Sequence, residues 1–160
     1  MQPFPPILCP PQRALLLTSS ARLLALAVAA GCVALLLVAT RARPSPTGIG
    51  THRQLGMERC QFEAQTGVPC PTCGMTTSYA HFVRGQWIAA FYVQPMAALM
   101  ALATCMSAWA GLYIALTGRP IHRLFYLLRA RYYVTAVLSL AVLAWAWKIW
   151  IHLHGIDGWR

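Results

Sequence analysis

The sequence predicts an all-α integral membrane protein, with about three transmembrane helices plus a short interfacial helix starting at a Cys-Pro-x-Cys motif. Composition and pattern both predict it. Of 160 residues, 58% are hydrophobic and 10% charged, whereas charged residues make up roughly a quarter of a soluble domain. Three predominantly apolar stretches, 23–40, 95–117 and 133–151, each reach the ~17–25 residues needed to cross a hydrocarbon core. The net charge of +10 suits arginines that flank such segments and face anionic headgroups, so a lipid bilayer and not nucleic acid is the expected partner.

Residues 1–22 are proline-rich, carry Arg13 and Arg22, show no periodicity and read as a mobile N-terminal tail. The first transmembrane helix follows at 23–40. It contains Ala29-Ala30-Gly31-Cys32, which has the form of a lipoprotein cleavage site, but Val33 to Ala39 continues fully apolar. A processed lipoprotein continues instead into a polar tether, so the sequence argues for an intact span. From 41 to 69 the composition turns to Arg, Pro, Ser, Thr, Gly, His and Gln, a polar loop outside the bilayer.

The stretch that organises the chain is Thr66-Gly-Val-Pro-Cys-Pro-Thr-Cys-Gly-Met-Thr-Thr-Ser78. Proline suits the first position of a helix, because its φ is already helical and the missing N–H would be unpaired there. With Pro71 at that position Cys70 becomes the N-cap, and the positive end of the helix dipole favours a Cys70 thiolate. Residues 70–94 then form the cysteine motif and an interfacial helical segment, since His81 and Arg84 are costly at bilayer depth.

Pro95 opens the second transmembrane helix, 95–117, whose small residues, among them Ala97, Ala98, Ala101 and Gly111, permit close helix packing. Its methionines Met96, Met100 and Met106 and its Cys105 read as packing rather than a metal relay. The loop 118–132 carries Arg119, Arg123, Arg129, Arg131 and His122 and no acid, which marks it as cytoplasmic. The third transmembrane helix, 133–151, holds Lys148 among Trp145, Trp147 and Trp150, a pattern that predicts a lysine snorkelling outward through an aromatic belt. The C-terminal tail, 152–160, carries His152 and His154 as solvated groups. With the basic loop inside, three spans put the cysteine motif on the extracytoplasmic side of the membrane.

The run Cys60, then Thr66-Gly67-x-Pro69-Cys70-Pro71-x-Cys73-Gly74-x-Thr76, followed by Arg84-Gly85 and a polar residue before Pro95, resembles a bacterial family of small multi-pass membrane proteins classed as a domain of unknown function. The resemblance covers roughly residues 58–110. It implies a membrane topology and draws attention to Cys60, Cys70, Cys73, Gly74 and Thr76, without naming a reaction. Two departures stand out, Thr77 where members often have a basic residue and Gln94 where Asn is common.

Three functions fit these residues. Two thiolates spaced as Cys-x-x-Cys grip one zinc or iron ion, with Cys60 as a third ligand and His52 within reach as a fourth. The same pair at a helix start suits a membrane thiol–disulfide oxidoreductase using Cys70 and Cys73, with Cys60 as a resolving thiol. A structural or partner-binding role is the third, toward another membrane protein or a second copy of the chain. Hydrolytic catalysis finds no support, because Glu58, Glu63 and Asp157 are the only acids available for general acid–base work.

Overall fold

The computed structural model describes residues 16–120 and 130–159, and within them every regular element is helical. Six α-helices occur, α1 (Ser19–Arg41), α2 (Gln61–Thr66), α3 (Met75–Phe82), α4 (Trp87–Val93), α5 (Pro95–Thr117) and α6 (Ala130–Leu153), with a 3₁₀ helix at Thr51–Leu55 between α1 and α2. Three of them, α1, α5 and α6, are long and apolar enough to cross a membrane. Helix α1 begins upstream of the 23–40 span, because Thr18 caps it by accepting the backbone N–H of Ala21. Most of the N-terminal tail, together with His122, Arg123 and Arg129 of the basic loop, lies outside the described residues.

Helices α1 and α5 run antiparallel in close contact. At one end the Arg22 guanidinium donates to the carbonyls of Ala115 and Leu116, at 2.9 and 3.1 Å, supplying partners to the C-terminal carbonyls that α5 itself leaves unpaired. Farther along, a Cβ at Gly111 would meet the Ala25 carbonyl oxygen at 2.8 Å, so only glycine lets the backbones approach this closely. Of the small residues on α5, Ala97, Ala98, Ala101 and Gly111 are buried, while Met100 and Met106 face outward.

Helices α3 and α4, of 8 and 7 residues, are only ~12 and ~10 Å long and cannot cross a membrane singly. They form a hairpin that descends alongside α5 and returns. The Ser78 hydroxyl ties the two arms by donating to the Ala90 carbonyl at 2.8 Å, and the Tyr79 hydroxyl meets Thr104 Oγ1 at 3.1 Å, about two and a half turns into α5. The polar side chains that argued for an interfacial helix are satisfied internally. His81 Nδ1 lies 2.6 Å from Gln86 Oε1, and Arg84 donates to the carbonyls of Ala80 and Thr40 at 2.6 and 3.1 Å. Most of α3, including Thr77, Ser78, Ala80 and His81, is buried against protein.

Lys148 does not snorkel. Its side chain is fully buried and its ammonium lies 3.1 Å from Asp157 Oδ1. The indoles of Trp145 and Trp147 also turn inward, donating to the carbonyls of Pro69 and Tyr92 at 3.0 and 2.8 Å. The end of the chain is likewise not free, because His152 Nδ1 lies 2.6 Å from Asp157 Oδ2 and Tyr92 donates to the Ile156 carbonyl at 2.8 Å. These contacts fold residues 154–159 back onto α6 and the first loop.

A three-cysteine cluster at one end of the bundle

The turn that carries the motif precedes its helix. Residues 71–74 form consecutive turns and α3 starts at Met75, so Cys70 is not an N-cap. Gly74 occupies that position with φ +87°, a left-handed conformation that glycine adopts without steric cost. The bend it makes ends the Cys-Pro-Thr-Cys turn, in which the Cys73 N–H donates to the Cys70 carbonyl at 3.0 Å.

Three elements hold this turn in place. Trp145 of α6 binds the Pro69 carbonyl, and Gln94, between α4 and α5, donates from Nε2 to the Pro71 carbonyl at 2.9 Å. Gly74 presses on the first loop, where an added Cβ would lie 2.9 Å from the Gly48 carbonyl oxygen. That same carbonyl is 3.5 Å from the Lys148 ammonium. Behind Gly48, Thr51 of the 3₁₀ helix bonds Thr77 of α3 at 2.8 Å, with both side chains buried. Thr77 therefore fills a space with no room for a basic side chain.

The result is a cluster of sulfurs. The Sγ atoms of Cys60, Cys70 and Cys73 all lie within 4.8 Å of one another, and those of Cys70 and Cys73 are 3.2 Å apart. All three are free thiols. His52 stays outside the group, and its Nε2 engages the Glu58 carbonyl at 3.0 Å. Cys105 lies far along α5, on the wall of a separate cleft with Phe82 and Leu102.

The paired thiols differ in their affinity for a proton. Partial burial tends to raise the pKa of Cys70, but hydrogen bonds from the Thr72 hydroxyl, Cys73, Cys60 and the Thr72 backbone outweigh it, and the net shift is downward. Cys73 is shifted strongly upward, first by burial and then by the hydrogen bond it shares with Cys70. Of the two, Cys70 is therefore the more acidic thiol. The lowered pKa of Cys70 agrees with the direction a helix N-terminus would give, but its cause is the donors of the turn and the neighbouring sulfurs.

Two contributors escaped sequence reasoning. Lys148 and Asp157 form a buried ion pair behind Cys73, and the electrostatic interaction of Lys148 extends to that thiol. With only three acids in the chain, a carboxylate nine positions after the one lysine was the available signal. Gln94 also positions the motif, and its Oε1 is buried without a hydrogen-bond partner.

Residues 60–108 match a family described as a protein of unknown function (DUF2752). The match opens on Cys60 and covers α2, the motif, the α3–α4 hairpin and most of α5, leaving out α1 and α6. No curated protein and no solved structure matches the chain.

Proposed function

We propose that this integral membrane protein holds one zinc ion on the sulfurs of Cys60, Cys70 and Cys73, at the extracytoplasmic end of its helix bundle. The convergence of three sulfurs within 4.8 Å carries the reading. Zinc–sulfur bonds of ~2.3 Å in a tetrahedral site set ligand sulfurs ~3.8 Å apart, and this cluster comes to that spacing with small side-chain adjustments. Thiolate charge needs N–H donors, and the turn offers the Thr72 backbone to Cys70 and the Cys70 backbone to Cys73. Iron in an all-sulfur site is served by four thiolates, which makes zinc the better fit to three.

The sidedness rests on the bundle's polarity. The cluster is tied to the start of α5 through Gln94 and to the C-terminal half of α6 through Trp145, whereas Gly118 and Arg119 lie at the other end of α5. Arginine-rich loops stay in the cytoplasm. A thiol–disulfide role for Cys70 and Cys73 is the second reading, favoured by their 3.2 Å contact and opposite pKa shifts.

Elemental analysis of detergent-purified protein tests the assignment. One equivalent of zinc is expected, lost in Cys73→Ser. Protein that takes up no zinc under reducing conditions, and instead cycles between a Cys70–Cys73 bridge and two thiols, would replace the metal reading with the redox one.

A further inference from the structure

The zinc reading leaves a question of coordination, since three sulfurs do not complete a tetrahedron. Among the described residues, no fourth ligating side chain joins the three sulfurs. His52 faces the Glu58 carbonyl, Glu63 pairs with Arg59 at 3.3 Å, His152 holds Asp157, and Asp157 is paired with Lys148. The three donors are also unequally fixed. Cys73 is buried, and the turn it shares with Cys70 is pinned to α6 and to Gln94. Cys60, only partly buried, is the N-cap of α2, a six-residue helix with no buried residue. Solvent reaches the cluster on the side of Cys60 and Cys70.

Resting on the zinc reading, we infer that the fourth position is open and that the site passes its ion to a thiol-bearing carrier by ligand exchange, with Cys60 as the ligand that departs. Structural zinc sites are closed by four protein ligands, whereas an open vertex admits an exogenous donor. In the exchange, an incoming thiol loses its proton as its sulfur bonds zinc. The Cys60–zinc bond then breaks and Cys60 takes up a proton, so zinc stays divalent and no electron moves. Cys70 and Cys73 retain the ion until two further carrier thiols displace them one at a time, each giving up a proton as the cysteine it replaces takes one. The mobile ligand lies on the weakly packed helix and the retained pair on the bundle, the order that stepwise release requires.

The test uses full-length protein in lipid nanodiscs, loaded with zinc under reducing conditions, with a chromophoric chelator to report release and glutathione as the thiol. Release is expected to accelerate in direct proportion to glutathione, and S-methylglutathione, which lacks a free thiol, to leave the rate unchanged. Cys60→Ser is expected to speed release without thiol and to flatten the glutathione dependence. A rate indifferent to glutathione in protein that does hold zinc means a closed site and overturns this inference alone. Acceleration by both compounds, or an unaltered dependence in Cys60→Ser, overturns it as well. Failure to load any zinc removes the metal reading and the exchange together.

Discussion

Cys70 and Cys73 sit three positions apart in opposite surroundings, so their chemistry separates. With its pKa lowered, Cys70 carries more thiolate at any given pH than an ordinary cysteine, while Cys73 carries less. In reduced, metal-free protein, iodoacetamide should therefore modify Cys70 first, with half-maximal rate below the ordinary thiol value of ~8.5. Cys73 should react appreciably only above it. Mass spectrometry of the alkylated peptides across pH checks this, and equal rates at the two sulfurs would contradict the hydrogen-bonding described. Gly74 is the residue on which their placement turns. Gly74→Ala forces a side chain into a left-handed backbone and against the Gly48 carbonyl, at a cost of about 1–3 kcal/mol, measurable as a lowered thermal midpoint in detergent. That Cys70, Cys73 and Gly74 share one tight segment was legible from the motif itself. The position of the helix start was not, because Pro71 is equally at home at the first position of a helix and inside a tight turn.

At the scale of elements, long apolar helices and the short hairpin differ in what specifies them. Composition alone marks α1 and α5, since a run of this length without charge has few stable places outside lipid. The hairpin depends on partners that come from elsewhere in the chain. His81 and Arg84 find their partners in Gln86 and in the carbonyls of Ala80 and Thr40, contacts that no local pattern in the sequence announces. The α1–α5 seam makes a separate prediction. Gly111→Leu should push the two helices apart and cost about 1–3 kcal/mol by overpacking, whereas leucine at the outward-facing Met106 should be neutral. Thermal unfolding of the two variants in one detergent distinguishes them, and equal stability would mean that the seam is not tightly packed.

Across the described residues, the three spans present mostly exposed apolar side chains, and the buried polar groups gather at the end that bears the sulfurs. The Lys148–Asp157 pair is the clearest sign of that division. Lys148→Met leaves the Asp157 carboxylate without its cation, and loss of one member of a buried pair costs about 3–5 kcal/mol. Lys148→Met combined with Asp157→Asn should recover most of that loss, because neither charge is then stranded. A double variant as unstable as the single one would show that the lysine matters through packing. The snorkelling expected of Lys148 failed for a reason of distance in the chain: its partner lies beyond the helix end, on a segment whose return is fixed by tertiary contacts. Sidedness has its own check in whole cells, where a membrane-impermeant maleimide should label Cys70 and spare a cysteine introduced at Arg119. The reverse pattern would invert the molecule.

The close approach between the first loop and residues 157–158 bears on biogenesis. A Cβ on Gly158 would come within 1.7 Å of the Pro46 carbonyl oxygen, so the two strands of chain seat against each other only after both have arrived. Residues 46–48 leave the ribosome more than a hundred positions before Asp157, and until the later segment is delivered Lys148 has no counter-ion and the wall behind Cys73 stays unfinished. The wall behind Cys73 is thus completed only by residues from the far end of the chain, and a chain cut short before Asp157 should leave it open.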